Sequence, residues 1–259
     1  MNLVVLVCLA MSSFGFTNAS PGHVETDLQL QGFRGRVRSV FTESVKVESP
    51  AKQPSLAKEP ESREGFDLNG RITFSTDFGR PCPECAIVEY STTSYRYDGV
   101  NRRTGTITSG KGPRGHSGPS LKPEDVDKDG NLLVVTSIKF DTHLRRIEET
   151  VARPSGLHLS TVIYERNARG QITKRTRVHP DSGYESARTF TYNKKGHPDT
   201  EVTSEGFKGQ APTIYNARYA YKYDKTGNWI ERDSWHWLGD SRQPADASHY
   251  VTVRSITYY

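Results

Sequence analysis

The chain has 259 residues, of which 34% are hydrophobic, and its mean hydropathy is −0.69. That leaves too little apolar content for the thick core of a two-layer enzyme domain. Its net charge of +5 comes from interleaved basic and acidic residues, which describes a solvated surface with weak attraction to anionic partners and argues against a nucleic-acid-binding stripe.

The first element in chain order is Leu3 to Phe16, almost wholly apolar, followed by the small residues of Thr17-Asn18-Ala19. This is a secretory signal pattern, too short for a membrane span, although no Lys or Arg precedes it. It predicts a signal peptide over 1–19 and one β domain over 20–259 in a secreted, periplasmic or cell-surface protein with no transmembrane span. Two flexible loops are expected within that domain. Residues 49–64 are rich in Pro, Lys and Glu, and 109–125 are rich in Gly and Pro.

A recurring unit organises the remainder: an alternating run, then Asp or Asn, two free positions and Gly, then a second alternating run. The clearest copies are Phe190-Thr-Tyr192-Asn193-Lys-Lys-Gly196 and Tyr221-Lys-Tyr223-Asp224-Lys-Thr-Gly227-Asn228. Further turns start at Asp67, Asp98, Asp127, Asp141 and Asn167, with Leu144 standing where Gly is expected after Asp141. Asp or Asn caps such a turn through its side chain, and Gly accepts the positive φ that closes it. Two-residue alternation puts Tyr219, Tyr221 and Tyr223 on one face, and likewise Tyr95 with Tyr97 and Phe190 with Tyr192. After the Asp67 turn, Ile72, Phe74 and Thr76 are expected to continue on one side. No stretch keeps a helical period, so the expectation is all-β with little helix: a meandering antiparallel sheet of successive hairpins, open or partly curled.

Cys82-Pro83-Glu84-Cys85 suits a small disulfide loop or a thiol pair better than zinc or redox chemistry, because no further ligand is near and the context is loop then strand. Asp125-x-Asp127-x-Asp129-Gly130 copies the opening of a calcium loop, but Thr136 stands where a bidentate carboxylate is required. Gly115-His116-Ser117-Gly118-Pro119 lacks the last Gly of a nucleophile elbow. Trp229, Trp235 and Trp237 share odd spacing, so a continuous strand places all three on one face. They either cover the core of the last hairpin or, with Arg232, form an aromatic strip for sugar rings.

The pattern Tyr-x-Tyr-Asp-x-x-Gly-Asn, best seen at Tyr221 to Asn228, resembles the YD repeats of the rearrangement-hotspot (Rhs) and teneurin families, in small secreted bacterial form. Large members wrap many repeats into a cocoon, and the resemblance supplies no known reaction. The functional expectation is a non-enzymatic envelope or secreted protein without a cofactor. It would bind a glycan or an envelope protein through aromatic sheet faces, with exposed strand edges open to self-association. The alternative is a hydrolase or redox enzyme whose dispersed site leaves no local motif.

Overall fold

The computed structural model describes residues 25–47, 59–79, 88–99, 102–109, 122–239 and 242–259. A single helical turn, α1 (Asp27–Leu30), precedes β1 (Val37–Val47), β2 (Glu59–Phe66), β3 (Ile72–Gly79), β4 (Val88–Tyr97) and β5 (Arg102–Ser109). A 3₁₀ turn, Pro123–Asp125, leads to β6 (Leu132–Phe140), β7 (Arg146–Ala152), β8 (His158–Arg166), β9 (Ile172–His179) and β10 (Tyr184–Tyr192). The chain ends with β11 (Pro198–Phe207), β12 (Thr213–Tyr223), β13 (Trp229–Leu238) and β14 (Ser248–Tyr258).

Each strand pairs antiparallel with its neighbours in sequence, and β1 pairs with β14, so the fourteen strands form a closed up-and-down barrel. This overturns the expected open or partly curled sheet. Hairpins in series leave two raw edges, and joining them satisfies both rows of backbone donors and acceptors at once. The seam runs from Ser39 opposite Thr257 to Val47 opposite His249. With β1 paired to β14, neither strand is left as a raw edge. The expected loop over 49–64 is also corrected, because residues 59–64 belong to β2, with Glu64 opposite Val40. The 109–125 segment starts with the last residue of β5 and ends in the 3₁₀ turn. The signal segment and the cysteine pair lie outside the described residues.

The turn chemistry follows the sequence closely. At Asp67, Asp141, Asn167, Asn193 and Asp224 the turn residue's N–H donates to the carbonyl four residues on, and its own carbonyl accepts from the N–H three residues on. Its side-chain Oδ1 also accepts the N–H groups two and four residues ahead, both at 2.9 Å for Asp224. A unit of two strands returns each of these turns, and the Asp98 turn, to the same end of the barrel. The Asp127 turn lies at the opposite end, one strand earlier than Asp141.

After these five turns the register slips by one residue, for example between Gly65 and Phe66 and between Lys222 and Tyr223. Such a bulge flips every side chain beyond it to the other face. Ile72 therefore faces the interior while Phe74 and Thr76 face outward, which corrects the one-sided expectation for that strand. Before the turns the alternation holds: Tyr219, Tyr221 and Tyr223 stack along the inner wall with ring centroids 6.2 and 6.0 Å apart. The compact apolar core sits at the end carrying these turns. It consists of Leu28, Phe33, Val37, Val40, Phe66 and Ile72, flanked by Tyr95, Tyr97 and Ile256.

Candidate functional site

That end of the barrel is capped by residues 25–36. Thr26 and Gln29 fix the α1 turn through reciprocal side-chain to backbone bonds of 3.2 and 2.9 Å. The segment then bonds to turns around the rim: Glu25 N to Leu144 O at 2.9 Å and Leu28 N to Gly70 O at 3.1 Å. Arg34 Nη2 reaches Lys195 O at 3.3 Å. Asn228, 1% exposed, accepts Arg34 N–H at 2.6 Å and donates to Arg34 O at 2.8 Å. The Asn that closes the Tyr-x-Tyr-Asp-x-x-Gly-Asn motif thus serves as a staple for the cap. Tyr259 donates its N–H to Arg36 O at 3.0 Å and its hydroxyl to Phe66 O at 2.6 Å.

Charge locks the cap from beneath. Asp27, 4% exposed, takes Arg146 at 2.7 Å and Arg103 at 3.0 Å on Oδ1, and the Tyr97 hydroxyl and Ile72 N–H on Oδ2. Glu149 completes the group with Arg146 at 3.1 Å. Burial opposes ionisation of Asp27, but the Arg146 and Arg103 guanidiniums outweigh it and hold the carboxyl below its usual range. Glu25 pairs with Arg166 at 2.7 Å, yet burial still raises its pKa.

Above this floor lies a lumen cavity of about 710 Å³. Arg175, Arg177, Arg232 and Arg254 line it together with Glu64, Tyr164, Phe190 and Trp229. It adjoins a second space of about 810 Å³ nearer the opposite mouth, walled by Tyr215, His236, Leu238 and Tyr250 and sharing Arg232 and Thr252 with the first. Described connections at that mouth bond to neighbours around the rim: Lys208 to Gly183, Gly239 to Ile214, Ser155 to Asp125. Pro244, Asp246 and Ala247 of the β13–β14 connection also line this space. Burial raises the Glu64 carboxyl pKa, with Arg254 and Gln31 pulling the other way.

Of the residues singled out from the sequence, the fold brings Trp229 and Arg232 together in this lumen. Their separation is 5.2 Å from guanidinium to ring centroid, and Arg254 sits over the same indole at 3.5 Å. Trp235 does not join them, and Trp237 lines the space nearer the opposite mouth, away from Trp229. The bulge between Trp229 and Glu231 reverses the face, so Trp235 points outward and stacks on His249 at 4.9 Å. The shared strip is therefore absent, because three odd-numbered positions keep one face only along an unbroken ladder. The acidic triplet is likewise employed locally. Asp125 accepts from Ser155 N at 3.0 Å and Lys122 N at 3.2 Å, and Asp127 caps its own turn. Asn131's amide and the turn's N–H groups hold Asp127 below the usual carboxylate range. The Ser117 motif lies outside the described residues. Local sequence signals did not mark Arg175, Arg177 or Arg254, whose roles depend on alternation being read as inward-facing.

No protein-family model matches the sequence, and no curated protein matches it. Among solved structures, a porin-like protein from Bacteroides uniformis ATCC 8492 is 12% identical, with TM-score 0.46, over 87% of this chain and 99% of that one. A porin-like protein from Bacteroides vulgatus ATCC 8482 is 9% identical, with TM-score 0.41, over 85% and 98%. The TcdB2–TccC3–Cdc42 structure is 13% identical, with TM-score 0.29, over 78% of this chain and 14% of that chain.

Proposed function

We propose that this chain is a non-enzymatic envelope or secreted binding protein. In this role the barrel is a vessel closed at the cap end, and a polar ligand enters its lumen from the opposite mouth. The observation that carries this reading is the cap: residues 25–36 close one end through bonds to several turns and a buried ion-pair floor. Asp27, Leu30 and Gln31 of this cap line the inner end of the lumen cavity. The apolar leader at Leu3 to Phe16 supports an exported location, and the turn motif keeps the chain close to the YD-repeat pattern.

The outer wall supports water rather than lipid as its surroundings. Among the described residues no helix is long and apolar enough to cross a membrane, so the strands decide. By alternation Glu43, Arg63, Arg218 and Asp233 face outward near mid-strand, and Asp233 pairs with His249 at 2.9 Å. Outward cross-strand pairs such as Lys139–Glu148 at 2.7 Å and Lys222–Glu231 at 2.6 Å belong to a solvated wall. In a bilayer each outward Arg at the midplane costs about 2–4 kcal/mol. Inside, the most buried carboxylates are neutralised by arginines, an arrangement for holding structure instead of exchanging protons with a substrate.

Flotation with lipid vesicles, followed by conductance across planar bilayers, tests this proposal. The full-length chain is expected to stay in the aqueous fraction and to give no channel steps. Co-flotation with steady conductance would replace the vessel by a membrane pore.

A further inference from the structure

The arginines near the cap each have a carboxylate, whereas among the described residues Arg175 and Arg177 on one side of the lumen have none within 4 Å. Arg103, Arg146 and Arg166 lie within 4 Å of Asp27, Glu149 or Glu25. Arg175 and Arg177 occupy successive inward positions of β9 and both line the cavity, and among the described residues neither has an ion pair. Arg188 stands directly opposite Arg175 on β10, and its nearest carboxylate is Glu201 at 3.5 Å. Like charges placed opposite each other across two strands are destabilising. Here three guanidiniums share one patch of inner wall; Glu201 beside Arg188 also accepts the hydroxyls of Tyr219 and Thr203, and Glu149, which acts on Arg177, is already paired with Arg146.

We infer that Arg175, Arg177 and Arg188 form an anion-binding site that takes the carboxylate, sulfate or phosphate group of an acidic saccharide. This rests on the lumen being the binding compartment and names the ligand class it takes. Guanidinium forks match oxyanions bidentately. Beside the arginines, Phe190, next to Arg188 on the same face, offers a flat apolar ring of the kind that packs against sugar faces. A cavity of about 710 Å³ falls within the range of about 300–1,000 Å³ usual for small-ligand sites. Burial and the adjacent Arg175 depress the Arg177 pKa, and a bound anion would relieve that repulsion.

Calorimetric titration of the full-length chain with a sulfated uronate disaccharide, neutral cellobiose and inorganic sulfate tests the inference. The acidic disaccharide is expected to bind at least tenfold tighter than either of the others. Arg175→Gln and Arg177→Gln should each weaken it at least tenfold, while Arg218→Gln on the outer wall should leave it unchanged. Unaltered thermal melts of each variant separate binding from folding. Equal binding of cellobiose, equal binding of sulfate alone, or an equal loss in Arg218→Gln would overturn the site. A Ser186→Cys chain treated with a small anionic thiol reagent, and read at that residue by mass spectrometry, separates the two levels. Labelling without saccharide binding removes the arginine site and keeps the open lumen. Absence of labelling removes the lumen reading itself.

Discussion

At the scale of single residues, the turns show how much one side chain decides. Gly227 closes its hairpin at φ 89, and Leu144 is held at φ 59 in the equivalent place. A side chain in this region costs about 1–2 kcal/mol, so Leu144→Gly is expected to raise the melting temperature by roughly 2–8 °C, measured by thermal unfolding. Gly70→Ala should do the reverse, since φ is 74 and the added Cβ would meet Thr26 Oγ1 at 3.0 Å. His197 gives a pH handle. It is 7% exposed, packed between Tyr221 and Tyr223 at 5.6 and 5.2 Å, and burial holds its pKa below 6.5. A depressed folded pKa stabilises the fold above the unfolded value and loses that contribution as pH falls through the folded one. Urea midpoints at pH 7.5 and 5.5 should therefore drop more for the wild type than for His197→Gln. Equal drops in the two proteins would assign the pH dependence to another group.

At the scale of elements, the cap is the piece whose loss reaches furthest. Asp27→Asn removes the charge that Arg103 and Arg146 share and leaves two guanidiniums buried with Glu149 alone. Breaking a buried pair in this way costs about 3–5 kcal/mol, read as a shifted denaturant midpoint. The sign with pH is fixed by the lowered pKa. Asp27's contribution is complete above 3.8 and disappears as the pH falls through its folded value, so the variant should show a shallower acid limb. Hairpins were legible at this scale because turn caps and two-residue alternation are local. Their bulges were not. Nothing in Gly227-Asn228-Trp229-Ile230 announces that Ile230 slips out of register, and that slip alone separates Trp229 from Trp235 and Trp237.

For the whole molecule, the sequence by itself determined the strand-turn-strand repeat, the near absence of helix, the Asp/Asn-x-x-Gly turns and the aromatic faces before them. Each rests on interactions within about five residues, such as Asp224 Oδ1 with the N–H groups of Thr226 and Asn228. Only the tertiary structure decided that the sheet closes. The β1–β14 seam joins residues such as Val40 and Ile256, and its formation depends on the twist accumulated over all the strands between them. Closure then turned the aromatic faces inward, made them the wall of a lumen, and placed the cap acids beside Arg103, Arg146 and Arg166, while among the described residues Arg175 and Arg177 have no such ion pair. Which charges meet across a barrel is set by register and strand order, and those follow from pairing between distant segments, beyond the reach of any local pattern.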